Sequence, residues 1–232
     1  MARFKLLLAV LVIQGTHQQI VMFVVTNGAL ISKNFVVTCA SCIKYLSIHE
    51  EIVAGSASVD KNDWQTIPID STVIHENYTK SDSRDDIALV KLLHRVIISS
   101  SVGPISLPTF DQSVDQSMNM ILTKNVKSLS EIIVKYIPVS VIDTDTCKKR
   151  IKGKLHSIVR EKQFCIKSVD DKDTSEISWG SIIVQENRTV LVGLTSSNGV
   201  MVTQISSYVN WIQTQMEKST LPPQFKYTYL QI

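Results

Sequence analysis

Four cysteines carry the most evident chemistry in this chain of 232 residues. Cys39 and Cys42 are separated by two residues, and Cys147 and Cys165 lie much further along the chain. Four cysteines allow three pairings, and in an exported protein they are more often bridged than free. A redox role for Cys39 and Cys42 would need a thioredoxin-like βαβ context, which the sequence lacks. These two residues could form a tight bridge, stay reduced or join another chain.

The charged residues exclude one large class of partner. Lysine and arginine number 24 against 21 aspartates and glutamates, which gives a net charge of +3. The densest basic cluster, at 148–154, is short and is interpreted as a solvated face. Because a nucleic-acid-binding protein normally carries a stronger basic stripe, we expect no nucleic-acid partner. We also expect no metal ion and no cofactor.

The N-terminus has the order of a secretory signal peptide. Arg3 and Lys5 precede the apolar run Leu6–Ile13, and Gly15 offers a small residue for cleavage. The run is shorter than the roughly 20 apolar residues that span a bilayer. We therefore predict a signal peptide at 1–15, a secreted, extracellular product and no membrane partner. A buried N-terminal strand or helix is the alternative.

Two N-glycosylation sequons agree with export. They are Asn77-Tyr78-Thr79 and Asn187-Arg188-Thr189. Each sequon is a weak signal alone, and we predict that Asn77 and Asn187 carry glycans.

Short apolar runs broken by turn residues fill the chain from residue 20 to about 205. Runs of this length at frequent intervals predict an all-β barrel or sandwich. The main predicted strands are Ile20–Val25, Phe35–Thr38, Glu51–Ala54, Ile87–Leu92, Asn119–Leu122, Ile132–Val141, Ser181–Val184 and Val190–Leu194.

The apolar period changes near the C-terminus. Ile205, Tyr208, Ile212 and Met216 fall at helical spacing, and Pro222-Pro223 ends the pattern. This predicts one C-terminal α-helix on an all-β body. The polar segment Phe110–Asn119 lacks strand pattern, and we place a subdomain boundary there.

Six motifs occur in a fixed order along the chain. They read NGALISKNFVVTCASC at 27–42, HENY at 75–78, DDIALVKL at 85–92, VGPISLP at 102–108, VGLTS at 192–196 and YVNWI at 208–212. They resemble CGGSLIS…WVLTAAHC, HPNY, NDIALLKL, VxPICLP, VGIVS and YxxWI of the trypsin-like serine proteases. The resemblance implies a single domain over 16–232, with two six-stranded antiparallel Greek-key barrels (about 20–110 and about 119–218) and a C-terminal α-helix.

The resemblance also locates the three positions of the catalytic triad, which need a hydroxyl, an imidazole and a carboxylate. Asp86 keeps the carboxylate, but Ser41 stands where the family has histidine. A serine hydroxyl cannot accept a proton near neutral pH as an imidazole can. In the best register of ISWGSIIV (177–184) against GDSGGPLV, Trp179 takes the place of the nucleophile.

The same comparison indicates that the residues needed for zymogen activation are missing. Ser178 replaces the aspartate that pairs, in the family, with the new N-terminus after cleavage. Ile20-Val21 follows Gln19, without the basic cleavage site and without the glycines of IVGG. Both members of the activation ion pair are therefore missing.

Two further roles are implied by the resemblance. Asp173 falls at the floor of the specificity pocket and is interpreted as a remnant of the substrate pocket. Cys147 and Cys165 match a bridged pair of the family, whereas the usual partner position of Cys42 is occupied by Thr26.

These observations predict a secreted trypsin-like serine protease homologue without proteolytic activity. It would act by binding a protein partner or a peptide segment through the old cleft or the loops around it. The alternatives are an active serine-type endopeptidase of low or atypical activity, and a structural or carrier protein of a secretory fluid.

Overall fold

The structure is a computed structural model of the whole chain. It describes residues 10–11, 20–23, 26–43, 51–54, 64–81, 83–99, 102–114, 117–125, 132–151, 161–169, 180–185, 189–196 and 200–220.

The N-terminal half of the described chain forms one curled antiparallel sheet. Its strands are β1 (Val10–Leu11), β2 (Ile20–Phe23), β3 (Thr26–Ser32), β4 (Phe35–Thr38), β5 (Glu51–Ala54), β6 (Gln65–Ile74) and β7 (Ala88–Leu92). Their order in the sheet is β1-β2-β3-β4-β7-β6-β5. Met22 of β2 also pairs with Val53 of β5, so the sheet curls until its two sides meet at one residue pair.

The C-terminal half forms a closed barrel. Its strands are β8 (Ser117–Asn125), β9 (Ile132–Ile142), β10 (Gln163–Ser168), β11 (Ile182–Gln185), β12 (Leu191–Thr195) and β13 (Met201–Gln204), in the closed order β10-β13-β12-β11-β8-β9. Gly193 of β12 lies against β13, where a Cβ atom would collide with the Val202 side chain. A glycine is therefore needed for these two strands to approach.

Three α-helices accompany the strands in the described residues. They are α1 (Ala40–Ile43), α2 (Thr144–Ile151) and α3 (Val209–Thr220). A 3₁₀ helix at Ile205–Tyr208 leads into α3. No helix in the described ranges has the length and apolar character needed to cross a membrane.

A shared apolar core joins the two sheets. Phe35 and Leu89 of the first sheet, Ile182 and Leu194 of the barrel, and Ile212 of α3 belong to one buried cluster. Burial of apolar surface is the main favourable term in folding, so the two halves are held together by the same side chains that fill them.

The all-β class with a C-terminal helix is confirmed. Four strands, β1, β3, β6 and β10, and the helices α1 and α2 were not predicted. The N-terminal sheet has seven strands rather than six, because Val10 and Leu11 pair with Val21 and Ile20. The strand β8 begins at Ser117, inside the segment 110–119 that was predicted to link the halves.

Candidate functional site

Ser41 and Asp86 form the centre of the site. The strand β4 ends at Thr38, and α1 then places Ser41 beside Asp86, two residues before β7. The backbone N–H of Ser41 donates to Asp86 Oδ1 at 2.7 Å, and the Ser41 hydroxyl donates to Asp86 Oδ2 at 2.8 Å. Both carboxylate oxygens are therefore hydrogen-bonded to the residue that replaces the family's histidine.

The Asp86 carboxylate is enclosed by protein. The residue is 1% exposed, and burial raises the pKa of Asp86 above its ordinary value. The hydrogen bonds from Ser41, and a weaker contribution from the backbone of Ala40, act in the opposite direction because they favour the charged form. Burial is the larger effect, so the pKa of Asp86 stays raised.

The described histidines do not supply a base to this site. The imidazole of His75 packs against Tyr208 and Trp211, with ring centroids 5.4 and 5.0 Å away, and its Nδ1 accepts the backbone N–H of Asn77 at 3.2 Å. His94 is exposed beyond the end of β7. Burial lowers the pKa of His75, so this imidazole is neutral at physiological pH. His17, His49 and His156 lie outside the described residues.

The nucleophile region is described only from Gly180 onward. Gly180 has a φ of 70°, in the left-handed region that favours glycine. Ser181 is 0% exposed, and its carbonyl accepts the backbone N–H of Thr195 at 2.9 Å. The Ser181 hydroxyl is therefore not accessible to a substrate in this conformation. Ser178, Trp179 and the pocket remnant Asp173 lie outside the described residues.

The backbone at Ile20 is part of a sheet. Ile20 pairs with Ala29 of β3, and its second partner, Leu11 of β1, belongs to the predicted signal peptide. A new N-terminus at Ile20 would have to leave the pairing with β3 before it could reach an acidic partner. The position of Ile20 agrees with the absence of a basic cleavage site before it.

The comparison with known proteins decides the family. A family model described as trypsin matches residues 12–212. The chain belongs to the trypsin family. Its relatives include brachyurin of Leptuca pugilator, 23% identical over 82% of this chain and 86% of the relative, and trypsin-4 of Rattus norvegicus, 24% identical over 82% and 79%.

Solved structures share the fold of this chain. One is the scabies mite inactivated protease paralogue S-I1, with a TM-score of 0.68 and 20% identity over 91% of this chain and 93% of the other. Another is neuropsin, a serine protease of mouse brain, with a TM-score of 0.65 and 20% identity over 83% and 89%. At these identities the likeness establishes the fold alone.

Within this trypsin-family chain, Asp85 is a site residue that the sequence analysis did not single out. Its Oδ1 accepts the Tyr208 hydroxyl at 2.8 Å and lies 3.7 Å from Lys162 Nζ. Lys162 Nζ also lies 5.1 Å from the centroid of the Tyr208 ring. Asp85 thus ties the loop before β7 to the C-terminal helical segment. The only sequence signal was DDIALVKL in place of the family's NDIALLKL, which puts a carboxylate beside Asp86.

The remaining predicted residues are surface or structural features. Both disulfides, Cys39–Cys42 and Cys147–Cys165, are present. The first resolves the alternatives for Cys39 and Cys42 in favour of a local bridge, and the second is the pair implied by the family. Asn77 is exposed in the turn after β6, where a glycan could be attached. Asn187 lies outside the described residues.

Proposed function

We propose that this chain is a secreted, proteolytically inactive trypsin-family protein that acts by binding a protein or peptide. The observation that carries the proposal is the pair of hydrogen bonds from Ser41 to the two oxygens of Asp86. In a working triad these oxygens orient an imidazole that accepts the nucleophile's proton. Here Ser41 uses its hydroxyl as a donor to the carboxylate, so the position lacks a group that can act as general base.

The expected loss of activity is large. Disabling the triad of subtilisin lowers the rate by about 10⁶-fold, which corresponds to roughly 8 kcal/mol of transition-state stabilisation. The buried Ser181 and the sheet-bound Ile20 point in the same direction, because neither provides an accessible nucleophile or a free activation terminus.

The purified mature protein is therefore expected to hydrolyse peptide esters and amides no faster than buffer. Labelling with a phosphonofluoridate should give no stoichiometric adduct, with an active trypsin at equal concentration as the positive control. Stoichiometric labelling that disappears in Ser178→Ala or Ser181→Ala would refute the proposal. Hydrolysis that survives these substitutions and disappears in Asp86→Asn would refute it as well.

A weakly active endopeptidase is the second candidate, and the retained Asp86 is the observation that favours it. The Ser41→His variant separates the two ideas, since it returns an imidazole beside Asp86. If only the base is missing, Ser41→His gains measurable hydrolysis. If Trp179 occupies the nucleophile position, the variant stays inactive, which is the result we expect.

The binding role is tested at the old cleft. The native secretion is passed over the immobilised chain, and captured proteins are compared between wild type and Trp179→Ala. Phe110→Ala is the matched control, because Phe110 is an exposed aromatic residue on the segment between the two sheets. Loss of one protein with Trp179→Ala alone supports binding at the cleft. Equal capture by both variants argues against the cleft and in favour of a structural or carrier role.

Export can be tested separately. Expression in secreting eukaryotic cells should place the protein in the medium with a new N-terminus after residue 15. Asn77→Gln should raise its electrophoretic mobility by one glycan. Retention of residues 1–15 in the secreted product would contradict the predicted signal peptide.

A further inference from the structure

A loop that follows β7 presents aliphatic side chains to solvent. We call residues 93–98, LHRVII, the 93–98 loop. Leu93 and Ile98 are exposed, and Ile97 is 73% exposed, whereas Val96 between them is buried. Ile97 is more exposed than any other large apolar side chain of the described residues. The buried Val96 anchors the loop while its neighbours project outward.

The backbone of this loop is held in place by internal hydrogen bonds. The Gln65 side chain uses both ends of its amide on Ile97: Nε2 donates to the Ile97 carbonyl at 2.8 Å, and Oε1 accepts the Ile97 N–H at 2.7 Å. The N–H of Leu93 donates to the carbonyl of Pro68 at 2.9 Å, and the N–H of Val96 donates to the carbonyl of Lys33 at 2.7 Å. The polar backbone atoms of Ile97 are thus satisfied without water.

Two cationic side chains lie at the loop. Arg95 belongs to the loop, and Lys33 is exposed beside Val96. The loop itself contains no carboxylate. The Asp70 carboxylate on β6 lies 2.9 Å from Lys91 Nζ, so its charge is balanced within the protein.

We propose that the 93–98 loop binds the surface of an anionic lipid membrane, with the Ile97 side chain inserted among the acyl chains and Arg95 and Lys33 at the headgroups. Protruding aliphatic side chains flanked by cations suit this interface. Lipid also demands that backbone N–H and C=O groups be satisfied internally, and the Gln65 amide meets this demand at Ile97. A protein partner would not require it, since a partner can supply hydrogen bonds itself.

Binding at the membrane surface does not need a spanning segment. The expectation of no membrane partner rested on the lack of an apolar run long enough to span a bilayer. Three exposed aliphatic residues on a loop do not form such a run, so hydropathy along the sequence does not reveal them. The surface is also separate from Ser41 and Asp86, so the proposal does not depend on the lack of proteolytic activity.

The test is vesicle flotation of the purified mature protein, without residues 1–15, whose apolar run could itself bind lipid. Vesicles of phosphatidylcholine alone are compared with vesicles that contain about 30% phosphatidylserine, the anionic lipid class that attracts basic segments. We expect binding to the anionic vesicles that weakens at high salt, because screening reduces the attraction of the headgroups for Arg95 and Lys33. Ile97→Asp should lower the apparent affinity for anionic vesicles by about tenfold or more. The substitution removes the carbon atoms that enter the lipid on binding, and it adds a negative charge that the anionic headgroups repel.

Two matched variants make the result specific. Val169→Asp places the same charge at a site that is 59% exposed on the turn after β10, and it should bind as the wild type does. Gln65→Leu keeps every apolar and basic residue of the loop but releases the Ile97 backbone, and it should weaken binding to the anionic vesicles by several-fold. Circular dichroism checks that all variants are folded.

Failure of the wild type to float with anionic vesicles would overturn the proposal, as would equal binding by Ile97→Asp and wild type. If Ile97→Asp instead abolishes binding to a purified protein of the secretion while no vesicle is bound, the surface belongs to a protein partner and the lipid proposal is wrong.

Discussion

Replacing Ser41 by alanine removes the hydroxyl that donates to the buried Asp86 Oδ2 and leaves that oxygen without this donor. A hydrogen bond to a charged group contributes about 1.5–3 kcal/mol, and Asp86 is almost fully buried, so solvent does little to replace it. We therefore expect Ser41→Ala to lower the free energy of unfolding by about 2 kcal/mol at about pH 7. For a chain of this size, that corresponds to a fall in Tm of about 4–8 °C.

The cost of this substitution should depend on pH. Because the pKa of Asp86 is raised by burial, the folded state binds the proton more tightly than the unfolded state. The stability from this group is complete below the ordinary carboxyl pKa and is lost as the pH rises through the raised value. Ser41→Ala removes a donor that favours the charged form, so it raises the pKa of Asp86 further. The loss of stability should therefore be larger near neutral pH than in acid.

Urea unfolding at about pH 4 and about pH 7 measures both effects, with Asp86→Asn as the matched control. An asparagine can accept the Ser41 N–H and donate to its hydroxyl, so Asp86→Asn should be at least as stable as the wild type at neutral pH. In that background Ser41→Ala should cost less than in the wild type. An equal cost of Ser41→Ala at both pH values and in both backgrounds would refute the idea that Ser41 stabilises a buried charge.

Substitution of Gly193 by alanine should destabilise the barrel by about 2 kcal/mol or more, because the new Cβ collides with the Val202 side chain; thermal unfolding measures the loss, and an unchanged Tm would contradict the strand approach. Burial lowers the pKa of His75, so the stability it contributes is present above the ordinary imidazole pKa and is lost as the pH falls. The stability difference between the wild type and His75→Gln should shrink on acidification, and a pH-independent difference would count against this assignment. Replacing Cys147 and Cys165 together by alanine should cost about 3 kcal/mol on the chain-entropy model, which a loss of less than about 1 kcal/mol would contradict.

Local periodicity predicted the elements whose residues follow a simple pattern. The strand Phe35–Thr38 consists of four consecutive buried residues, and the sequence placed both of its ends correctly. The C-terminal helical segment could be predicted because Ile205, Tyr208 and Ile212 repeat at helical spacing, although the first two lie in the 3₁₀ helix that precedes α3. The strand Gln65–Ile74 was missed, since Pro68 and several polar residues interrupt its pattern. The segment is nevertheless a strand, because it pairs with β5 on one side and with β7 on the other.

The motifs located the site in the sequence, but they did not predict its side-chain contacts. The motif around Ser41 showed that the histidine is missing, but not that the serine would hydrogen-bond both oxygens of Asp86. The contact between Asp85 and Tyr208 joins residues 123 positions apart, and no local pattern encodes such a meeting. Gln65 and Ile97 are likewise brought together only by the pairing of β6 with β7.

The two disulfides constrain very different lengths of chain. Cys39–Cys42 spans three positions, whereas Cys147–Cys165 spans 18, and a bridge that closes a longer loop restricts the unfolded chain more. Next to Thr26, the family's position for the partner of Cys42, the strands β3 and β4 are linked by the Thr38 hydroxyl, which donates to the carbonyl of Asn27 at 2.7 Å. A reducing environment would therefore weaken the closed C-terminal barrel far more than the N-terminal sheet, and the two halves of the molecule would differ in their tolerance of thiols.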